Sequence, residues 1–235
     1  IMKLSDDGTA VIGKKIKEEC DCLGISGGWT PRVHLFTQSG GKLKFRDEDN
    51  VFLPDKSELD QISIGSCNGD FEIDEVIKNS LNSINKFLNV DNDAYKNLEI
   101  ISSKEINKKN IWLLPSDKPM GKTKSFLDFQ NDSTANDIKL ALREGFKSIE
   151  HVKRYTTTGM ATDQGKLSNM HALGIIAETA GVKMGELGTT TFRPPYTPLT
   201  FGAIVGRNVG EFFDITRKTP IHDWHVENKA EFENV

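Results

Sequence analysis

The 235-residue chain contains no apolar run approaching the roughly 18 residues that span a bilayer, and no charged start followed by an apolar core like that of a secretory signal. A membrane-spanning helix is thereby excluded. Its 30 Lys and Arg and 34 Asp and Glu leave a net charge of −4, and no block of five or six cations exists. A nucleic-acid backbone partner is excluded on that ground. Three cysteines, Cys20, Cys22 and Cys67, are too few and too irregularly placed for a disulfide framework, so a reducing cytoplasm is the expected compartment. There is no G-x-G-x-x-G, so the phosphate fingerprint of a dinucleotide fold, if the protein has one, lies upstream of Ile1. No nucleophile–base pair stands out, and no catalytic residue is assigned.

What is present is concentrated between Phe126 and Pro195, the stretch with the densest helix punctuation. Thr134 and Asp137 have capping-box spacing, with Asp in place of Glu, ahead of the stripe Ile138, Ala141 and Leu142, and Gly145 follows. This predicts a helix over 134–144. Ser148 begins a second helix, with Ile149 and Val152 inward and Lys153 and Arg154 in the last turn, where cations suit the helix dipole. Ser168 begins a third, with Leu173, Ile176 and Ala177 at helical spacing and Gly181 as its stop. Three short helices bury little by themselves and need a neighbour. The segment Tyr155–Lys166 is rich in hydroxyls, amide and glycine; it reads as a polar surface loop, or as one that offers N–H groups to a ligand or partner.

Upstream, Cys20–Ser26 reads as a short apolar strand that ends at Gly27-Gly28 and Pro31. Leu43, Phe45, Val51 and Leu53 alternate around 47–50 as a hairpin. Gln61–Gly65 reads as another strand, leading through Ser66-Cys-Asn-Gly-Asp70 into a helix whose Ile73, Val76, Ile77, Leu81, Ile84, Phe87 and Leu88 share one face. Strand, glycine turn and helix together form the kind of crevice in which α/β folds bind nucleotides. Residues 89–124 read as a linker, with Ile111–Leu114 as a single docking strand. Near the C-terminus, His222 and His225 flank Asp223, but no third ligand stands at useful spacing, so no metal site is assigned.

The order T-x-x-D-I … E-G-F-x-S-x-E-x-V-K-R-x-T-T-x-G-M-x-x-x-Q-G-K resembles the small helical [2Fe–2S] module of bacterioferritin-associated ferredoxin and of several amine-oxidising flavoenzymes. The four positions that match its cysteine ligands hold Asp128, Gln130, Asp163 and Ser168. Clusters are held by thiolates, so this copy is expected to have kept the fold and lost the metal. F-x-D-F-Q-N-D-x-T, followed by G-T-T-T-F-R-P-P-Y-T-P, is similar to one family in particular, the alpha subunit of heterotetrameric sarcosine oxidase. The flanks agree. C-D-x-L-x-x-S-G-G-W-x-P and I-G-S-C-N-G resemble parts of the two-dinucleotide-domain flavoprotein fold, and T-P-I-H-D-W-H-V-E-x-x-A-x-F resembles the opening of the folate-binding domain of the glycine-cleavage T-protein. Asn228, Lys229 and Ala230 depart from that last pattern, where a glycine is favoured.

The resemblance implies an excerpt of a longer chain, α/β and α+β in class. Residues 1–88 would be the end of an NAD-binding domain, 89–124 a linker, 125–206 a three-helix module without its cluster, and 207–235 the start of an aminomethyltransferase-like folate domain. Gly27, Gly28, Gly65 and Ser66 would lie near NAD, with plain structural turns as the alternative. Lys166, Arg193, Thr189, Thr190 and Thr191 would offer a cation and hydroxyls to the phosphate of a flavin mononucleotide (FMN) at the subunit interface. Asp128, Gln130, Asp163, Gln164 and Ser168 would meet the flavin ring or a partner's backbone; the alternative is that they only join the module to its neighbour. The family implies FAD in a beta-type flavoprotein partner, small gamma- and delta-type subunits, tetrahydrofolate as co-substrate, and oxidative demethylation of an N-methyl amino acid. An electron-transfer module and a non-catalytic scaffold are the rival readings, the first disfavoured by the missing cysteines.

Overall fold

The apolar spacing of the middle of the chain becomes three packed helices. In the computed structural model, which describes residues 1–91, 110–207, 209–210 and 217–232, α3 (Ala135–Arg143), α4 (Ile149–Thr156) and α5 (Asn169–Ala180) form the centre of the first of two compact units, Ile1–Thr197 and Pro198–Val235. The capping box forms as the sequence predicts: the Asp137 carboxylate accepts from the Thr134 amide at 2.8 Å, and the Thr134 hydroxyl accepts from the Asp137 amide at 3.4 Å. Such a cap is worth about 1 kcal/mol. Ser148 and Ser168 stand at the N-caps of α4 and α5, but neither makes a side-chain cap hydrogen bond. Gly181 ends α5 in the left-handed region, as expected. Ile138, Val152, Leu173, Ile175 and Ile176 are fully buried, each contributing about 1.5–3 kcal/mol by leaving water.

The neighbour these helices need is a β-hairpin. β3 (Lys42–Arg46) and β4 (Val51–Lys56) pair antiparallel with Phe45 opposite Phe52. Phe52 belongs to the same core cluster as Ile138, Val152 and Ile176, with Leu43 and Phe45 packed against it. Two short helices, α1 (His34–Gln38) and α6 (Met184–Leu187), lie beside β3, and Met184 joins the core. The hairpin's turn is held by Arg46, which donates to both oxygens of Asp49 and, at 2.9 Å, to the Gly69 carbonyl. The tetrad Ile111–Leu114 also docks on this core, though not as a strand: Trp112 lies over Gly174 of α5, where a Cβ would come within 2.2 Å of the indole ring. Two further antiparallel pairs complete the sheets, β1 (Lys3–Leu4) with β2 (Val11–Ile12), and β5 (Phe126–Asp128) with β6 (Ser133–Thr134). The chain is thus mixed α and β, with small two-stranded sheets and no parallel pair among the described residues.

Two expected strands are absent. Residues 20–26 have no regular structure, and Leu23 and Ile25 are 75% and 84% exposed. Residues 61–64 are likewise irregular and lead into a 3₁₀ turn, Gly65–Asn68. A strand needs a partner for its backbone N–H and C=O groups, and none stands beside either segment among the described residues. The helix after the turn, α2 (Ile73–Leu88), forms with the expected bounds and strong amphipathicity, yet buries none of its residues.

Part of the predicted linker, 92–109, and parts of the predicted folate-domain start, 208, 211–216 and 233–235, lie outside the described residues. The second unit contains α7 (Phe201–Val205), capped by the Thr200 hydroxyl, and α8 (His222–Glu227). His222 and His225 pack against Phe232 and Trp224, with ring centroids 5.0 and 5.2 Å apart. Among the described residues no helix is long and apolar enough to cross a membrane.

Candidate functional site

The loop between α4 and α5, residues 157–168, serves two polar clusters. The first is centred on Asp128 at the end of β5, a carboxylate only 3% exposed. One of its oxygens accepts from the amides of Gln130 and Asn131 at 3.0 and 3.1 Å; the other accepts from the Gly159 amide at 2.8 Å. Beside it, the Gln130 side-chain oxygen accepts from the Thr162 hydroxyl and the Asp163 amide. The Asp163 carboxylate in turn accepts from the amides of Gly165 and Leu167. Three of the four positions matched to cluster ligands therefore carry side-chain acceptors that tie the loops together. The fourth, Ser168, is buried with its hydroxyl unpartnered. Hydrogen bonds to a charged acceptor contribute about 1.5–3 kcal/mol each, so the Asp128 knot is a strong local closure built wholly from this chain.

The second cluster lines a cleft of about 30 Å³, room for one or two waters or for the edge of a larger molecule. His34, Lys166, Asn169, Thr189, Thr190 and Phe192 contribute to its walls. His34, at the start of α1 and 5% exposed, stacks on Phe192 at 3.8 Å between ring centroids. Its Nε2 donates to the Gln164 carbonyl at 3.2 Å, while Nδ1 is buried with no partner. Burial pushes the His34 pKa down, and Lys166 and Arg32 push the same way, against the Gln164 carbonyl and Asp163. Burial thus favours the neutral imidazole, in which Nε2 carries the proton given to the Gln164 carbonyl.

Lys166 donates to the carbonyls of Asp163, at 3.2 Å, and of Tyr196, and its ammonium lies 4.5 Å from the centre of the Tyr196 ring. Asn169 donates to the Thr190 hydroxyl at 2.9 Å. Its side chain fills the space that a Cβ at Gly159 or Gly165 would occupy, 2.3 and 2.1 Å from its Oδ1. Both glycines sit at φ +72°, so conformation and space alike demand glycine there.

The outer wall is clamped from α4. Lys153 is buried and its Nζ donates to the Thr191 carbonyl at 2.9 Å; burial pushes its pKa down, against the attraction of Glu150. Glu150 accepts from the Thr191 amide and, at 2.7 Å, from Arg154. Burial raises the Glu150 pKa, but the Thr191 amide, Lys153 and Arg154 outweigh it and hold the carboxyl below its ordinary value. Lys153 and Arg154 stand in the last turn of α4, as the sequence indicates, and Lys153 is in addition buried because the segment 189–192 folds over it.

Of the residues the sequence singled out, Lys166, Thr189 and Thr190 line the cleft together. Thr191 has its amide and carbonyl engaged by the clamp, and Arg193 gives its amide to the Gln164 side chain at 3.0 Å while its own side chain is exposed. Gly27 and Gly28 lie in the exposed irregular segment, with nothing within 4 Å of a Cβ at either. Gly65 is buried at φ +64° and Ser66 is exposed; neither pair is part of the cleft wall. The sequence reading missed His34, Asn169 and the Glu150–Lys153 clamp. Only Asn169 had a signal, the two glycines of G-M and Q-G-K that its side chain requires.

Residues 122–207 match the family described as the sarcosine oxidase A3 domain. The chain is 35% identical over 231 residues to the alpha subunit of sarcosine oxidase from Corynebacterium sp. (strain P-1), covering 95% of this chain and 24% of that protein. It is 39% identical over 222 residues to the alpha subunit of sarcosine oxidase from Rhizobium meliloti (strain 1021), covering 90% and 22%. A shorter match, 34% over 71 residues, joins 30% of the chain to 16% of one opine oxidase subunit of the same organism. Among solved structures, L-proline dehydrogenase from P. horikoshii shares the fold over 75% of this chain and 37% of its own, with a TM-score of 0.54 at 21% identity. Along nearly its whole length the chain is thus similar to sarcosine oxidase alpha subunits, and it spans about a quarter, 24% and 22%, of the two it matches.

Proposed function

We propose that this chain is part of the alpha subunit of a sarcosine oxidase-like flavoenzyme, and that its cleft region contacts FMN at the face shared with a beta-type flavoprotein subunit. The similarity to sarcosine oxidase alpha subunits along 95% and 90% of the chain carries the reading. In the reaction, an N-methyl amino acid such as sarcosine gives a hydride to the FAD held by the beta-type partner and becomes an imine. The imine carbon passes to tetrahydrofolate, releasing glycine, and oxygen takes the two electrons from reduced flavin to give hydrogen peroxide. NAD is bound by the segment that includes Gly27, Gly28, Gly65 and Ser66, and residues 207–235 open the folate domain. Small gamma- and delta-type subunits complete a cytoplasmic heterotetramer.

The residues proposed for the FMN phosphate fit it in part. Two of the three ammonium hydrogens of Lys166 are used by carbonyls, leaving one, and the Arg193 side chain is exposed. Thr190 and Thr191 are already engaged within the chain, which favours the rival scaffold reading for those two residues alone. The test is co-expression of the full-length subunit with a beta-type flavoprotein. Sarcosine-dependent peroxide release and transfer of the one-carbon unit to tetrahydrofolate are expected, with FMN and NAD found by mass spectrometry of the denatured complex. A stable complex with neither flavin nor turnover would overturn the proposal in favour of a scaffold.

A further inference from the structure

The return segment, residues 189–196, gives the cleft part of its wall through Thr189, Thr190 and Phe192. It belongs to no helix or strand, and among the described residues no backbone–backbone hydrogen bond ties it to the rest of the unit. Side chains hold it instead. Its first half is anchored at Thr191, whose amide donates to Glu150 and whose carbonyl accepts from Lys153 at 2.9 Å. Its second half leans on His34: the imidazole stacks on Phe192 with 3.8 Å between ring centroids and meets the Tyr196 ring edge-on at 6.1 Å. The same ring donates from Nε2 to the Gln164 carbonyl at 3.2 Å, and the Gln164 side chain accepts from the Arg193 amide at 3.0 Å. Lys166 and Arg32 reach Tyr196 as well, at its carbonyl and hydroxyl, but on long side chains that can follow a displaced backbone. One buried imidazole therefore joins α1, the 157–168 loop and the return segment.

That joint suits the neutral ring only. Nδ1 is buried with no hydrogen-bond partner, so a second proton on the ring would have neither water nor an acceptor. Among the charged groups that act on the ring, Lys166 from the loop and Arg32 from the segment before α1 oppose an imidazolium, and Asp163 favours it. β3, which also packs against α1, adds no charge that acts on the ring, and the return segment faces it with the aromatic rings of Phe192 and Tyr196. Burial and the two cations outweigh Asp163 and the Gln164 carbonyl.

We propose that His34 is a proton-sensitive latch on the return segment: on taking up a proton the ring leaves the Phe192 stack, and residues 192–196 swing out from an anchored Thr191, opening the cleft on that side. The anchor does not open with it, because the Glu150 carboxyl is held below its ordinary value and keeps its charge over the same pH range. The latch is a property of this chain's own residues and is independent of which ligand the cleft takes.

The test is residue-resolved amide hydrogen exchange on the full-length subunit in complex with its flavoprotein partner, between pH 7.5 and pH 5.5, with each rate divided by the intrinsic rate at that pH. An open form that binds one proton more than the closed form gains about tenfold in population per pH unit below the ordinary histidine value of about 6.5. The Arg193 amide should therefore open about tenfold more often at pH 5.5 than at pH 6.5, while the Thr191 amide on Glu150 and the Gly159 amide on Asp128 stay level. His34→Gln keeps an N–H for the Gln164 carbonyl and cannot titrate, and His34→Phe keeps the stack on Phe192; each should flatten the Arg193 profile. A flat Arg193 profile in the parent, an equal rise at all three amides, or a rise that persists in His34→Gln would overturn the proposal. The comparison of the three amides within the parent needs no variant, so it decides even where a substitution prevents assembly.

Discussion

The two polar clusters share one loop and differ in how completely they are satisfied. Asp128 receives backbone N–H groups from Gln130, Asn131 and Gly159 and leaves no demand open. His34, equally buried, spends one nitrogen on Gln164 and leaves the other without a partner. A satisfied buried acceptor rigidifies its surroundings, whereas an unsatisfied one raises the energy of the empty state and rewards whatever arrives with a donor. The knot is therefore closed within this chain, whereas the histidine in the cleft wall is not.

The comparison breaks most severely at the knot. Asp128→Ala strands three backbone donors and is expected to cost about 3–5 kcal/mol, read as a fall in the urea midpoint, with Asp128→Asn losing less. Next comes Gly165→Ala, whose Cβ would lie 2.1 Å from the Asn169 side chain at a φ of +72°. Left-handed strain and overpacking together cost about 2–4 kcal/mol, and Asn169→Ala in the same chain should recover only the steric part.

The pH dependence separates the clusters without removing a residue from the knot. The His34 pKa is lowered in the folded state, so the unfolded chain binds the proton first. Stability is unaffected above the unfolded value of about 6.5 and falls as pH drops below it. Urea midpoints measured from pH 8 to pH 5 should decline less in His34→Phe than in the parent; parallel curves would remove His34 from this account. The smallest effect is expected at the rim. Arg154→Ala removes a half-exposed partner of Glu150 and should change stability by about 0.5 kcal/mol or less.

How far each cluster could be read from the sequence follows the same division. Thr134 and Asp137 are three residues apart, and the hairpin's alternating Leu43, Phe45, Val51 and Leu53 lie close in sequence, so local spacing revealed α3 and the β3–β4 pair, though not that Phe52 is the residue opposite Phe45. The amphipathic period of α2 was equally plain, although spacing says nothing of what covers a helix face. The apolar runs at Cys20–Ser26 and Gln61–Gly65 have strand composition but no partner strand among the described residues, and composition does not report partners. His34 lies 130 residues from Gln164, and no periodicity marks a contact of that range. Lys153 stands in the last turn of α4 as its position indicates, but a place at a helix end does not report the tertiary return of Thr191 that buries it.

The central claim, that the cleft side of the module meets a flavin while the knot only supports it, is tested most directly by cofactor content. On the proposed function, the double variant Lys166→Met, Arg193→Met in the full-length subunit, co-expressed with a beta-type flavoprotein, should lose most of the FMN and keep the NAD found in the parent complex, both quantified by mass spectrometry of the denatured complex. Full retention of FMN in a correctly assembled double variant would contradict the account and leave this face of the module structural.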